Sequence, residues 1–244
     1  MTNYKKILGY LFPLGIWSLV YFLIKNPIIF PSPLDILRGL LSLLRSASFY
    51  SYLFASLSKI FLALTFSMIF SILTSYLAFR YELRDFFSPT MALIKSVPVV
   101  SLLLIVLFFT NKSYLSIIIV FLVISPLLYE NILNGLENID RRKLDLAKIY
   151  SLPGRTVLRY IYAPTIIERV LFSLVMAGGV GIKAAITAEV ISGSSDGLGN
   201  LLYMAKISFE MVDLIAVTIV IVVSSYLIEK FFKFLLKKWK NTND

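Results

Sequence analysis

Few side chains in this sequence could carry out chemistry, and they form no catalytic set. The 244 residues include no cysteine and no histidine. This excludes thiol chemistry, disulfides, Cys/His metal sites and every mechanism in which histidine is the base. No GxxxxGK[ST] phosphate-binding loop occurs, so the chain cannot hydrolyse ATP by that route. We therefore expect no catalytic residue, no metal site and no cofactor bound by this chain.

Lys95, Lys183 and Glu189 lie within long apolar runs, and a charge inside a membrane must face protein or water rather than lipid. Lys95 lies close to Pro98, which removes a backbone donor and should kink its helix. Lys95 and Lys183 could line a path for an anionic solute, or could serve structural pairing or snorkelling. Lys183 and Glu189 are about 240° apart on a helix, so each needs a partner from another helix.

The composition indicates that membrane helices position these residues. Hydrophobic residues make up 58% of the chain and charged residues only 16%, against roughly 25% charged in soluble domains. We predict an all-α, polytopic membrane protein, because six apolar runs can each cross a hydrocarbon core. They cover residues 7–24, 55–79, 86–110, 114–133, 166–191 and 211–229. The first run lacks a following small-residue cleavage site, so we expect a retained helix.

Basic residues orient the chain. With both termini in the cytoplasm, fifteen lie inside: Lys5, Lys6, Arg80, Arg84, Arg141, Arg142, Lys143, Lys148, Arg155, Arg159, Lys230, Lys233, Lys237, Lys238 and Lys240. Five lie outside: Lys25, Arg38, Arg45, Lys112 and Lys206. This positive-inside bias accounts for the net charge of +10 without nucleic acid.

The fifth run is rich in small residues. Ala177, Gly181 and Ala185 recur at every fourth position, and Gly178 lies beside them. Small residues at this spacing let helix backbones approach closely in lipid. We therefore expect this helix to pack at the centre of the bundle or at an interface between two subunits.

The segments outside the runs have simpler interpretations. FPSPLDILRGLLSLLRS predicts a short amphipathic helix with Leu37, Leu40, Leu41 and Leu44 on its apolar side, either a connector or a docking element. SGSSDGLGN, residues 192–200, predicts a tight outer turn rather than a phosphate site. The lysines around Trp239 predict an anchor at the cytoplasmic membrane surface.

One polar segment stands between the fourth and fifth runs. Asp140 can cap a helix that runs to about Ser151, and Pro153-Gly154 should stop it. A second short helix follows from Arg155, and Pro164 should break it. Small Ala147 and Ser151 would flank an exposed turn. Such a helical knob could insert into a groove on a soluble partner, or be an idle loop.

This segment resembles the EAA motif of permease subunits of ATP-binding-cassette (ABC) importers: Glu-Ala-Ala, three residues, Gly, nine residues, Ile, one residue, Leu-Pro. The matching positions are Asp145, Leu146, Ala147, Ser151, Ile161, Ala163 and Pro164, with the spacing kept throughout. FPSPLDIL, VPVVSLLLIVLFF, AEV and GLGNL are similar to the sulfonate, nitrate and taurine branch, which also includes carriers of vitamin precursors such as the thiamine pyrimidine. The likeness covers roughly residues 30 to 240.

The resemblance implies a type I importer fold with about six membrane helices, forming one permease domain over residues 1–244. Its coupling segment, about residues 134–165, would dock on an ATPase through Asp145, Leu146, Ala147, Ser151, Pro153, Gly154, Ile161 and Pro164. The partners it implies are two ATPase subunits that bind ATP and Mg, a second permease copy that completes a homodimer, and an extracytoplasmic binding protein.

The resemblance also implies that the chain is a non-catalytic subunit in the inner membrane of a bacterium. The solute would be a small anion such as a sulfonate, taurine or nitrate, or a vitamin precursor. Ser151 departs from the motif, because serine pays a steric cost in the left-handed backbone that glycine adopts cheaply. We expect the turn to shift to Pro153-Gly154. The alternatives are a stand-alone secondary transporter or channel using Glu189 or Glu130, and a membrane enzyme.

Overall fold

The computed structural model describes residues 12, 15–24, 26 and 29–243. Over these residues the chain forms helices joined by turns and contains no strand, which confirms the all-α prediction. The apolar run predicted over residues 7–24 begins outside the described residues, as do Lys5, Lys6 and Lys25. Its described part is helix α1, Gly15–Ile24.

Four helical stretches of the described chain are long and apolar enough to cross a bilayer. They are α3 (Ala47–Arg80), α6 (Lys112–Glu137), the continuous stretch Gly154–Ser192, and α11 (Met211–Asn243). The main part of the third stretch is α9 (Ala163–Ser192). Helix α6 packs between α3 and α9, α11 packs on α9, and α10 (Leu198–Ile207) lies between the end of α9 and the start of α11.

The predicted third span is not one helix. Helix α4 (Arg84–Ser96) and helix α5 (Val99–Phe109) meet at a bend of 99°. Pro98 is the cap residue of α5, so the predicted kink is a complete break. Eleven residues of α5 reach only about 16 Å, which is roughly half of a bilayer core. The correction is therefore that the predicted single span consists of two short helices joined at nearly a right angle.

Buried serines hold α3 against α6. The Ser71 hydroxyl donates to the carbonyl oxygen of Ser125 at 2.9 Å, and the Ser75 hydroxyl donates to that of Tyr129 at 3.0 Å. Pro126 lies inside α6 and cannot donate to the helical ladder. Small side chains that bridge helices in this way replace apolar burial as the cause of association in lipid.

The predicted amphipathic segment forms helix α2, Pro33–Arg45. Ser32 and Asp35 form a capping box, in which each side chain accepts from the other residue's backbone N–H. The side that packs into the protein carries Ile36 and Gly39, and a Cβ atom at Gly39 would collide with Val212 of α11. The predicted apolar side is mostly exposed: Leu37, Leu41 and Leu44 face outward, so α2 presents these leucines to its surroundings.

Candidate functional site

The coupling segment begins with helix α7, Arg141–Ile149. The Asp140 carboxylate accepts from the Arg142 backbone N–H at 2.9 Å, which confirms the predicted cap. At the other end, Leu152 N–H donates to the Ala147 carbonyl at 2.9 Å and Ser151 N–H to the Lys148 carbonyl at 3.0 Å. This pair of bonds is a Schellman motif, which ends a helix with a left-handed residue.

The left-handed residue is Ser151, with φ of 44°. The expected shift of the turn to Pro153-Gly154 is therefore wrong. Gly154 instead starts the next helix, α8 (Gly154–Val157). The two Schellman bonds satisfy helix-end carbonyls and so offset the steric cost of a side chain at this position. The backbone is therefore left-handed at Ser151, the position where the resembled motif has glycine.

Replacing Ser151 by glycine should stabilise the end of α7 by about 0.5–1 kcal/mol, because glycine adopts positive φ without a steric cost. We expect slower amide exchange at residues 147–152. Ser208→Gly is the matched control, since Ser208 ends α10 at φ −83°. That control should gain no protection, and equal gains in both variants would contradict the explanation.

The coupling segment joins α9 without a break. After α8 comes one π-helical turn, Leu158–Tyr162, and then α9 with Pro164 in its first turn. The prediction that Pro164 breaks the helix is therefore wrong. Proline lacks a backbone N–H, and its ring crowds the preceding turn. The π turn before it holds one extra residue, so the backbone hydrogen bonds of the helix can continue past the proline. Ile161 lies within this turn.

The knob buries its small residue and exposes its larger ones. Ala147 is only 6% exposed, so it does not flank an exposed turn as predicted. Four apolar side chains face outward instead: Leu146, Ile149, Tyr150 and Leu152. Asp145 is also exposed. Exposed apolar side chains on a short helix are typical of a surface that another protein covers. We call these four residues the coupling patch.

Lys95 has an ionic partner. Its ammonium group lies 2.6 Å from the Glu130 carboxylate on α6, immediately before the break at Pro98. Both side chains are about half exposed. The structure thus shows the pairing that was one of the two interpretations of Lys95, and it ties the end of α4 to α6.

Glu189 is the most buried charged residue of the candidate set, at 1% exposure. The Ser56 hydroxyl lies 2.9 and 2.7 Å from its two carboxylate oxygens, and the Gly199 N–H donates to it at 2.9 Å. Ser56 also accepts from the Leu198 N–H at 2.8 Å. The carboxylate therefore joins α3 to the first turn of α10, where a negative charge is favoured.

Lys59 extends this cluster to the outer turn. Its ammonium group lies 3.7 Å from Glu189 and 2.9 Å from Asp196. Although burial alone would raise the pKa of Asp196, hydrogen bonds from Lys59 and Ser194 hold that pKa below its ordinary value. The turn itself needs positive φ at Gly193 and Gly197. SGSSDGLGN is thus a structural turn closed by an ion pair.

Sequence reasoning missed Ser56, Lys59 and Asp196. Lys59 carried a usable signal, because it is a charge inside the apolar run of residues 55–79. Its pairing with Glu189 joins residues far apart in the chain, so spacing could not reveal it. The expectation that Glu189 takes its partners from another helix agrees with the contacts to α3.

Lys183 is placed differently. It is exposed on α9, about 14 Å from the outer end of that helix. No carboxylate of the described residues lies within ion-pair distance of it. Its neighbours on the same helix face are Met176, Val180 and Ile191, all exposed. A charge on such a face must meet water or another chain, not lipid.

The small-residue stripe faces the opposite way. Ala177, Gly178, Gly181 and Ala185 are all buried within this single chain. A Cβ atom at Gly178 would lie 2.9 Å from Ile228 of α11, and one at Gly181 would meet Val120 of α6 at 3.6 Å. The stripe therefore packs α9 against α6 and α11.

Comparisons with known proteins agree with this arrangement. Residues 67–241 match the family model of the binding-protein-dependent transport system inner membrane component. The chain is 28% identical over 218 residues to a probable ABC transporter permease protein of Haemophilus influenzae, covering 86% of each. It is 25% identical over 221 residues to the taurine transport system permease protein of Escherichia coli, covering 87% of this chain and 80% of that one.

A solved structure shares the fold. The chain superposes with a TM-score of 0.63 on a chain of the inward-facing MetNI methionine ABC transporter, at 16% identity. The match covers 76% of this chain and 93% of that one.

Proposed function

Because this chain belongs to the family of binding-protein-dependent transport system inner membrane components, we propose that its coupling patch docks on an ATPase and that its α9 face lines a path for an anionic solute. The family confirms the prediction of an ABC importer permease rather than a stand-alone transporter. The single observation that carries the docking proposal is the exposed apolar surface of α7.

Docking follows from the shape of the knob. Leu146, Ile149, Tyr150 and Leu152 project from a helix end that a Schellman motif holds in place. Covering such side chains yields roughly 1.5–3 kcal/mol each at full burial. The ATPase would bind ATP and Mg, and this chain would take no part in the hydrolysis. Two ATPase subunits and an extracytoplasmic binding protein complete the proposed assembly.

The solute path is proposed along the exposed face of α9. Lys183 needs water or protein beside it, and a second copy of this chain facing α9 would enclose such a space. The broken crossing at Pro98, with Lys95 beside it, is a second candidate wall, because interrupted membrane helices often line transport sites. Glu189 is engaged in the cluster with Ser56, and we assign it a structural role.

The proposed solute is a small anion. Lys183 favours a negative charge, and one relative is named for taurine, which carries a sulfonate group. The proposed orientation places the coupling segment and both termini in the cytoplasm of a bacterium, because most basic residues outside the runs then lie inside.

The test is co-purification of the tagged permease with its ATPase in mild detergent. The wild type should retain the ATPase. The amount of ATPase recovered with Ile149→Glu should fall at least about tenfold, because docking would bury an unpaired charge. The matched control is Ile207→Glu, an equally apolar exposed position at the other end of the bundle. Equal ATPase recovery with Ile149→Glu and wild type would refute docking through this patch.

Ala147→Arg tests the same surface by changing the buried residue of α7. Ala147 is buried, so arginine should disrupt the knob sterically and also abolish ATPase association. Unlike Ile149→Glu, it should loosen α7 itself, and limited proteolysis of the permease alone would detect that. An intact knob that still binds the ATPase would contradict the packing of Ala147.

A further inference from the structure

A polar cavity lies where the coupling segment meets three membrane helices. Its volume is about 400 Å³, and its walls come from the ends of α6, α9 and α11 and from the first turn of α7. The π turn contributes Tyr160. Cavities of this size are typical of ligand sites, and π turns often occur at functional positions.

Basic side chains dominate the cavity. Lys143, Arg169 and Lys240 line it, together with the carboxylates of Asp140 and Glu168. Both carboxylates are engaged: Glu168 pairs with Lys240 at 3.1 Å, and Asp140 caps α7. Lys143 and Arg169 have no ionic partner among the described residues. Neither cation forms an ion pair within the described chain, and three basic against two acidic side chains give the cavity wall a net charge of +1.

A glycine of α6 gives the Arg169 side chain its position. Its side chain lies directly on the backbone of α6 at Gly135, where an added Cβ atom would collide with Arg169 Cγ. The same Cβ atom would lie 2.9 Å from Arg169 Nε. Only glycine permits this approach, so Gly135 positions the arginine at the cavity wall.

The cavity lies at a membrane boundary. The apolar run of α11 ends at residue 229, and the helix continues through interspersed lysines and apolar residues to Trp239 and Lys240, which line the cavity. Tryptophan and lysine at the end of an apolar helix are typical of the lipid headgroup level. Basic pockets between membrane helices at this level bind the headgroups of anionic lipids.

We propose that this cavity binds a phosphate group, supplied by the headgroup of an anionic phospholipid and held by Lys143 and Arg169. Arginine recognises phosphate oxygens through paired N–H donors, and lysine adds a point charge. The bound group would link the first turn of α7 to α6 and α9. The site does not depend on the proposed function, since it involves no residue of the coupling patch.

The experiment uses the purified full-length permease, stripped of lipid and titrated with phosphatidylglycerol, phosphatidylcholine or glycerol 3-phosphate, with bound equivalents counted by native mass spectrometry. We expect one saturable phosphatidylglycerol per chain and none of phosphatidylcholine. Lys143→Gln/Arg169→Gln should weaken that binding at least about tenfold. The control Lys237→Gln/Lys238→Gln removes the same charge outside the cavity and should leave phosphatidylglycerol binding unchanged.

Gly135→Ala provides an independent test, because it displaces Arg169 without changing any charge; it should weaken binding as well. The elution profile in size-exclusion chromatography checks that each variant folds. If glycerol 3-phosphate binds as tightly as the lipid, the phosphate site is supported, but its phosphate group would come from a soluble compound rather than from a lipid. No preference for phosphatidylglycerol over phosphatidylcholine in the wild type, or equal losses in the cavity and control variants, would overturn the proposal.

Discussion

Glu189→Ala should destabilise the protein by about 3–5 kcal/mol, the cost of removing one partner of a buried charge network. The change leaves the Gly199 N–H and the Ser56 hydroxyl without their acceptor and Lys59 with Asp196 alone. For a chain of this size the loss corresponds to roughly 6–20 °C in the unfolding midpoint. Scanning fluorimetry of the purified permease in detergent would measure it.

Two further variants define the cause. Glu189→Gln keeps the shape and one carbonyl acceptor, so it should cost only about 1–2 kcal/mol. Gly199→Ala should be as damaging as Glu189→Ala, because its Cβ atom would collide with Glu189 and lie 3.0 Å from the Ile186 carbonyl oxygen. An unchanged midpoint in Glu189→Ala would show that the cluster does not hold α3 to α10.

Lys183→Glu should reduce solute uptake at least about 100-fold if Lys183 faces the path of an anion. The reversal replaces attraction by repulsion, and an ion pair at about 4 Å is worth up to roughly 4 kcal/mol at an effective dielectric constant of 20. Uptake of labelled taurine into cells that express the complete importer is the measurement. The folded fraction should not change, because Lys183 makes no ion pair in the described chain.

Lys183→Arg is the matched variant and should retain most of the uptake, since it keeps the charge. Lys206→Glu, at an exposed position of α10, controls for reversal of a charge elsewhere. Normal uptake by Lys183→Glu would place the residue outside the path. A loss that also occurs in Lys183→Arg would indicate a packing role instead.

Much of the fold could be predicted because it depends on local chemistry. Apolar length identified the four helical stretches of the described chain that can cross a bilayer, and the cap at Asp140 follows from residue type alone. Family membership could also be predicted, because the spacing of the coupling segment survives changes of residue.

The errors share one physical origin: a local preference was overridden by a neighbouring contact. Ser151 adopts a positive φ because two hydrogen bonds at the helix end offset the steric cost. Pro164 stays inside a helix because a π turn precedes it. The third crossing is divided because Pro98 separates α4 from α5 and Lys95 finds Glu130 on a distant helix. Periodicity reports none of these contacts.

The unbroken passage from the coupling segment into α9 has a mechanical consequence. Because the helical stretch runs from Gly154 to Ser192 without interruption, we expect α9 to tilt as one body about its π-turn end. The thirty residues of α9 span about 45 Å, so a tilt of about 10° at the π turn would swing the outer end by about 8 Å. That end carries Glu189, whose ties to Ser56 and Gly199 would pass the displacement to α3 and α10. A small tilt at the π turn would therefore become a larger displacement at the far end of α9.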